Sequence, residues 1–166
     1  MPPFWLLQII LLFTQAAWPQ KPNATLPATN TTSRGFVALF GTKDCDDCAA
    51  VKKQWPEAFD LIDGPVLVFL PIEHAPNYAL LGRLEDALQP EKKAEAFPIF
   101  LVGNSLIADI DAFYELADEL PALCQKPPAL PLLNDIAQAA ATADQIVVEL
   151  RVTDSHYQPD TSPAVP

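Results

Sequence analysis

The chain has 166 residues, half of them apolar, enough for one folded domain of about 100 residues plus terminal extensions. Its 21 acidic against 10 basic residues give a formal net charge of −11, which argues against a surface that tracks a phosphate backbone or an anionic membrane, so nucleic acid is not an expected partner. The 18 prolines, against 5 glycines, gather at residues 2 to 27, 121 to 131 and 159 to 166, which places the poorly folding sequence towards the ends.

In chain order, the first feature is a mostly apolar run from Phe4 to Phe13 followed by Thr14-Gln15-Ala16, a small-residue pattern that a signal peptidase could cut. No Lys or Arg precedes the run and Gln8 interrupts it, but a membrane-spanning helix needs about 20 apolar residues and this run is shorter. Residues 1–16 are therefore expected to be a signal peptide, or a membrane tether if left uncleaved. The domain is then expected in a periplasmic or extracellular space where disulfides persist. Residues 17–34, rich in Asn, Thr and Pro, cannot bury enough apolar surface to offset their ordering entropy and are expected to form a disordered linker. Asn23-Ala24-Thr25 and Asn30-Thr31-Thr32 fit the glycosylation acceptor pattern, which arises readily by chance in such a composition.

From residue 35 to 127 the texture is that of a folded domain. Phe36 to Phe40 is a continuous apolar run, as expected of a strand covered on both faces. Gly41 to Asp44 then turn the chain into a helix over Cys45 to Asp60, with Ala49, Val51, Trp55 and Phe59 at near-helical spacing and Pro56 expected to kink or restart it. Val66 to Leu70 is a second buried strand, and Asn77 to Gln89 a helix with Tyr78, Leu81, Leu84 and Leu88 on one face. Phe97 to Val102 and Ser105 to Ile107 flank Gly103-Asn104, a two-residue connection suited to an antiparallel hairpin. A last helix is expected from Asp111, as its cap, to Cys124, with Phe113, Leu116, Leu120 and Leu123 inward. The order β-α-β-α-β-β-α predicts an α/β fold: a central mixed sheet flanked by helices on both faces. Residues 128–166 are expected to be a partly disordered extension, in which 132–143 suits a helix and Ile146 to Val152 a strand, either at the sheet edge or for a partner.

Cys45-Asp46-Asp47-Cys48, directly after a buried strand and at the start of a helix, is the arrangement that dithiol exchange needs. One helical turn brings the two sulfurs within disulfide reach, and the unpaired N–H groups of the helix N-terminus stabilise a thiolate on the first. Cys45 is then the nucleophile and Cys48 the resolving cysteine. Three other readings compete. A structural disulfide closing so short a loop stabilises little. A zinc site needs about four ligands, whereas the chain adds only Cys124, His74 and His156, at no suitable spacing. A vestigial pair is the third.

At Phe40-Gly41-Thr42-Lys43-Asp44-Cys45-Asp46-Asp47-Cys48 and again at Ala96-Phe97-Pro98-Ile99-Phe100 the chain resembles the thioredoxin-like superfamily, over about residues 35 to 125. The resemblance implies that Pro98 follows a cis bond and faces the cysteine pair. It also implies that Phe97 and Pro98 offer a backbone edge to the cysteine segment of a substrate. The stretch from Asn77 through Leu84-Glu85 to Phe97-Pro98 and Gly103-Asn104 looks like exported bacterial members that partner membrane electron-transfer proteins. The implied activity is thiol-disulfide exchange on cysteine-containing exported proteins, by a monomer needing no cofactor beyond its own cysteines and no metal, with a membrane thiol reductase as electron donor. A thioredoxin-fold binding module with a non-cycling pair is the alternative.

The dipeptide between the cysteines, Asp46-Asp47, departs from the Gly-Pro and Pro-His of the best-known members. Lys43, Asp44, Asp46 and Asp47 leave this loop with an excess of negative charge, and each nearby carboxylate disfavours a Cys45 thiolate by about 0.5 to 1 kcal/mol, offset in part by Lys43 and the helix end. Strong oxidants are built the other way, by stabilising the reduced thiolate. A reductant or isomerase-like exchanger is expected, with a potential shift of at most about a few tens of millivolts, because a thiolate lifted above the thiol at neutral pH no longer affects the couple. Of the remaining groups, Cys124 is expected as a core or partly buried free thiol, with pairing to another protein as the alternative, His74 as solvated, Trp55 as core or rim, and Lys52-Lys53 as a solvated helix face able to moderate the acidic loop in front of it.

Overall fold

The computed structural model describes residues 34–153, apart from 61, 63, 90, 92–95 and 126–129. The expected signal segment, most of the expected linker and the last 13 residues lie outside the described residues.

Strand β1 (Phe36–Gly41) is buried at every position, because the sheet is covered on both sides and each alternate residue enters a different core. Phe36, Ala38 and Phe40 face one core, while Val37 and Leu39 face the other. β2 (Val66–Pro71) does the same with Val66, Val68 and Leu70 against Leu67 and Phe69, and β3 (Ile99–Val102) with Ile99 and Leu101 against Phe100 and Val102. β1 and β2 are parallel, whereas β3 is antiparallel to β1 and to β4 (Ser105–Ile107). The hairpin between β3 and β4 turns on Gly103, whose φ of +55° is the left-handed conformation that a glycine-first two-residue loop requires.

Helices cover both faces, as expected. α1 (Asp46–Ala58), α3 (Ile110–Glu115) and α4 (Leu120–Cys124) pack on one side through Val51, Trp55, Phe113 and Leu120. α2 (Ala75–Leu88) and α5 (Asn134–Ala141) pack on the other through Leu80, Leu84, Ile136 and Ala140. Residues of the C-terminal extension complete the sheet. After a 3-10 turn (Pro131–Leu133) and α5, strand β5 (Val147–Glu149) pairs parallel to β2, giving the order β4-β3-β1-β2-β5. Of the two uses expected for this strand, addition to the sheet edge is the one observed.

Five local expectations are corrected. The helix expected over Asp111 to Cys124 is two helices, since Pro121 has no N–H to continue a ladder and its ring would strike the carbonyl four residues back; it sits instead in the first turn of α4. Asp109, not Asp111, caps α3, its carboxylate accepting from the N–H groups of Asp111 at 2.9 Å and Ala112 at 3.1 Å. Leu123, expected inward, is exposed. In α2 the buried face runs through Asn77, Leu80, Leu81 and Leu84, with Tyr78 left 60% exposed. Asn77 can face inward because backbone groups meet it: its Nδ2 donates to the carbonyls of Pro71 at 3.1 Å and Leu150 at 2.9 Å, and its Oδ1 accepts from the N–H of Val152 at 3.0 Å. α1 does not restart at Pro56 but continues to Ala58.

Candidate active site

The site is built at the C-terminal ends of β1 and β2, where parallel strands hand over to helices. β1 ends at Gly41, and Thr42 to Asp44 turn the chain with a Cys45 N–H to Thr42 carbonyl bond of 3.4 Å. Cys45 is the N-cap of α1 in extended conformation, and its Sγ accepts from the backbone N–H of Cys48 at 3.0 Å. A sulfur thus takes the place usually held by a Ser or Asp oxygen, on the positive end of the helix. Cys45 and Cys48 are joined by a disulfide, with Cα atoms 5.2 Å apart. Cys45 is half-buried at the surface, while Cys48 is 0% exposed in the apolar core beneath α1. That asymmetry leaves Cys45 as the sulfur an incoming group can reach.

Gly41 makes this packing possible. A Cβ placed on it would overlap the Sγ of Cys48, so any larger residue would push the sulfur or the strand aside. The ring of Phe69 borders the same space, and the Lys52 ammonium lies 3.9 Å from its centroid. Lys52, expected on a solvated face, instead makes this cation-π contact one turn beyond Cys48.

The remaining expected site residues are placed as follows. Asp46 and Asp47 occupy the first turn of α1, exposed, as are Lys43 and Asp44. The Phe97–Pro98 bond is cis; Pro98 is buried and Phe97 38% exposed. β3 begins at Ile99, paired with Phe40, so Pro98 falls level with Gly41, the last residue of β1, and Phe97 lies one residue beyond, at the end where the cysteine loop leaves the strand.

One residue at this end was not singled out from sequence. Glu73, in the turn after β2, accepts the backbone N–H of Lys43 on Oε1 at 2.7 Å. That bond, its own backbone N–H and the Lys43 charge hold its carboxyl below the usual carboxylate range, against a smaller opposing effect of desolvation. The signal for it was topological, since parallel β1 and β2 put the loops after both strands at one end. His74, expected to be solvated, is half-buried with Nε2 2.9 Å from the carbonyl of Val152. Cys124 is not part of the site. It is buried against Gly35 at the start of β1, six residues or about 20 Å of strand from Gly41, and burial pushes its thiol up to about 12.

The chain matches no protein-family model, no curated protein and no solved structure. Among the described residues, no helix is long and apolar enough to cross a membrane.

Proposed function

We propose that this chain is a thioredoxin-like thiol-disulfide oxidoreductase acting on exported proteins, working as a reductant or isomerase-like exchanger. The observation that carries this reading is the asymmetric disulfide at the N-terminus of α1, with a reachable Cys45 whose sulfur accepts a helix N–H and a buried Cys48. In the reduced pair the same N–H and the helix end stabilise a Cys45 thiolate. The thiolate attacks a partner disulfide, forming a Cys45–partner mixed disulfide and releasing one partner thiolate. Cys48, losing its proton to solvent, then attacks the Sγ of Cys45, re-forms the intramolecular disulfide and releases the second partner thiolate. The partner disulfide has gained two electrons and the Cys45/Cys48 pair has lost them.

A membrane thiol reductase is the proposed source of the next two electrons, and the apolar run from Phe4 to Phe13 supports an exported setting. Phe97 and Pro98 are proposed to offer backbone to the partner segment. Asp46 and Asp47, with Lys43 opposing them, disfavour the thiolate and so favour the reductive direction. The test is trapping. Cys48→Ser is expected to accumulate a mixed disulfide with an oxidised peptide through Cys45, whereas Cys45→Ser forms none and wild type turns over with dithiothreitol. A Cys48→Ser protein that forms no adduct would count against the activity.

A further inference from the structure

The rim around the Cys45–Cys48 disulfide is unevenly charged, and the unevenness comes from two separate parts of the fold. Asp44, Asp46 and Asp47 are exposed on the loop and first turn that carry Cys45. Glu73 arrives from the turn after β2 and is fixed there by the 2.7 Å bond from the Lys43 N–H. Lys43 is the cation on this loop, while the Lys52 ammonium is engaged over the Phe69 ring. At the same end of the sheet Phe97 leaves an aromatic side chain 38% exposed.

A thiolate attacking Cys45 is itself an anion, so this field slows every uncompensated nucleophile. A nucleophile carrying positive charge beside its sulfur recovers the loss, and an exposed aromatic face is a second feature that favours a cation. We infer that the electron donor that re-reduces the Cys45–Cys48 disulfide presents its thiol on a lysine- or arginine-rich segment, and that Asp46, Asp47 and Glu73 select it by charge while Phe97 receives one of its cations. This inference rests on the exchange activity proposed above. The step is ordinary exchange: the donor thiolate bonds to the Sγ of Cys45, the Cys45–Cys48 bond breaks, and Cys48 leaves as a thiolate that takes a proton from solvent. A second donor thiol then displaces Cys45, so the donor is oxidised by two electrons and the pair is left reduced, ready to reduce a substrate disulfide.

The test uses small thiols of opposite charge on the full chain. Rates of opening of the disulfide by cysteamine and by mercaptopropionate are each divided by the same thiol's rate with hydroxyethyl disulfide, which cancels intrinsic nucleophilicity. The expected normalised preference for cysteamine is about fivefold at an ionic strength of about 10 mM, shrinking to less than about twofold at 0.5 M as screening sets in. It is expected to vanish in Asp46→Asn/Asp47→Asn/Glu73→Gln. It is expected to persist in Glu115→Gln/Asp118→Asn/Glu119→Gln, which removes the same charge from exposed positions on and between α3 and α4. Equal loss in both triple variants would assign the preference to net charge and overturn the inference. Ready opening by neutral dithiothreitol with no charge preference overturns the inference alone. A disulfide that dithiothreitol leaves intact overturns the exchange activity, and the inference with it.

Discussion

The α-carbon of Gly41 lies against the Sγ of Cys48, with no room for a methyl group between strand β1 and the buried half of the disulfide. In the oxidised protein that sulfur is pinned by its bond to Cys45, whereas a reduced Cys48 can rotate away. Gly41→Ala is therefore expected to destabilise the oxidised form by about 1 to 3 kcal/mol and the reduced form by less. Every 1 kcal/mol of that difference raises the reduction potential by about 20 mV. Urea unfolding of both redox forms checks this, and equal losses in the two would show that the contact is not specific to the disulfide.

Asn77 ties the C-terminal strand to the domain. Removing its side chain leaves the Pro71 and Leu150 carbonyls and the Val152 N–H without their partner in a buried setting. Asn77→Ala is expected to cost about 2 to 4 kcal/mol in urea unfolding, with faster hydrogen exchange at the Val152 amide. A loss below about 0.5 kcal/mol would mean that water replaces the side chain at no cost.

Cys124 is the single free thiol of the oxidised protein, buried and pushed up to about 12 from an ordinary value of 9.0. A folded-state value above the unfolded one means that the unfolded chain releases its proton first as pH rises. The stability this thiol contributes is thus fully present below pH 9 and is lost progressively between 9 and about 12. Comparing wild type with Cys124→Ala, the stability difference should move against wild type by about 1 kcal/mol per pH unit above the lower value. A difference constant from neutral pH to 11 would place the thiol in contact with solvent.

Much of this architecture was legible because the strands are buried on both faces: Phe36 to Phe40 and Val66 to Leu70 stand out as unbroken apolar runs whichever core each residue enters. The cysteine pair and Phe97-Pro98 were legible as short local patterns, and the register of β3 on β1 explains why residues so far apart in sequence share one end of the sheet. What escaped is non-local or polar. Asn77 looks like a surface residue until the backbone of Leu150 and Val152 is brought to it, and Tyr78 beside it was assigned its place on the buried face. Glu73 acquires its role only through the Lys43 N–H, 30 positions away. Apolar spacing carried the expected helix straight through Leu116 to Leu123, although Pro121 already marked the break.

The most direct measurement is the reduction potential of the Cys45/Cys48 pair, by equilibration with glutathione and dithiothreitol buffers and alkylation in a Cys124→Ala background. A reversible two-electron couple at or below about −270 mV is the expected result, consistent with an acidic rim that disfavours the thiolate. A potential near −120 mV, that of a strong oxidant, would contradict the reductive direction. A pair that stays closed across the whole range would contradict exchange itself and leave a binding module in its place.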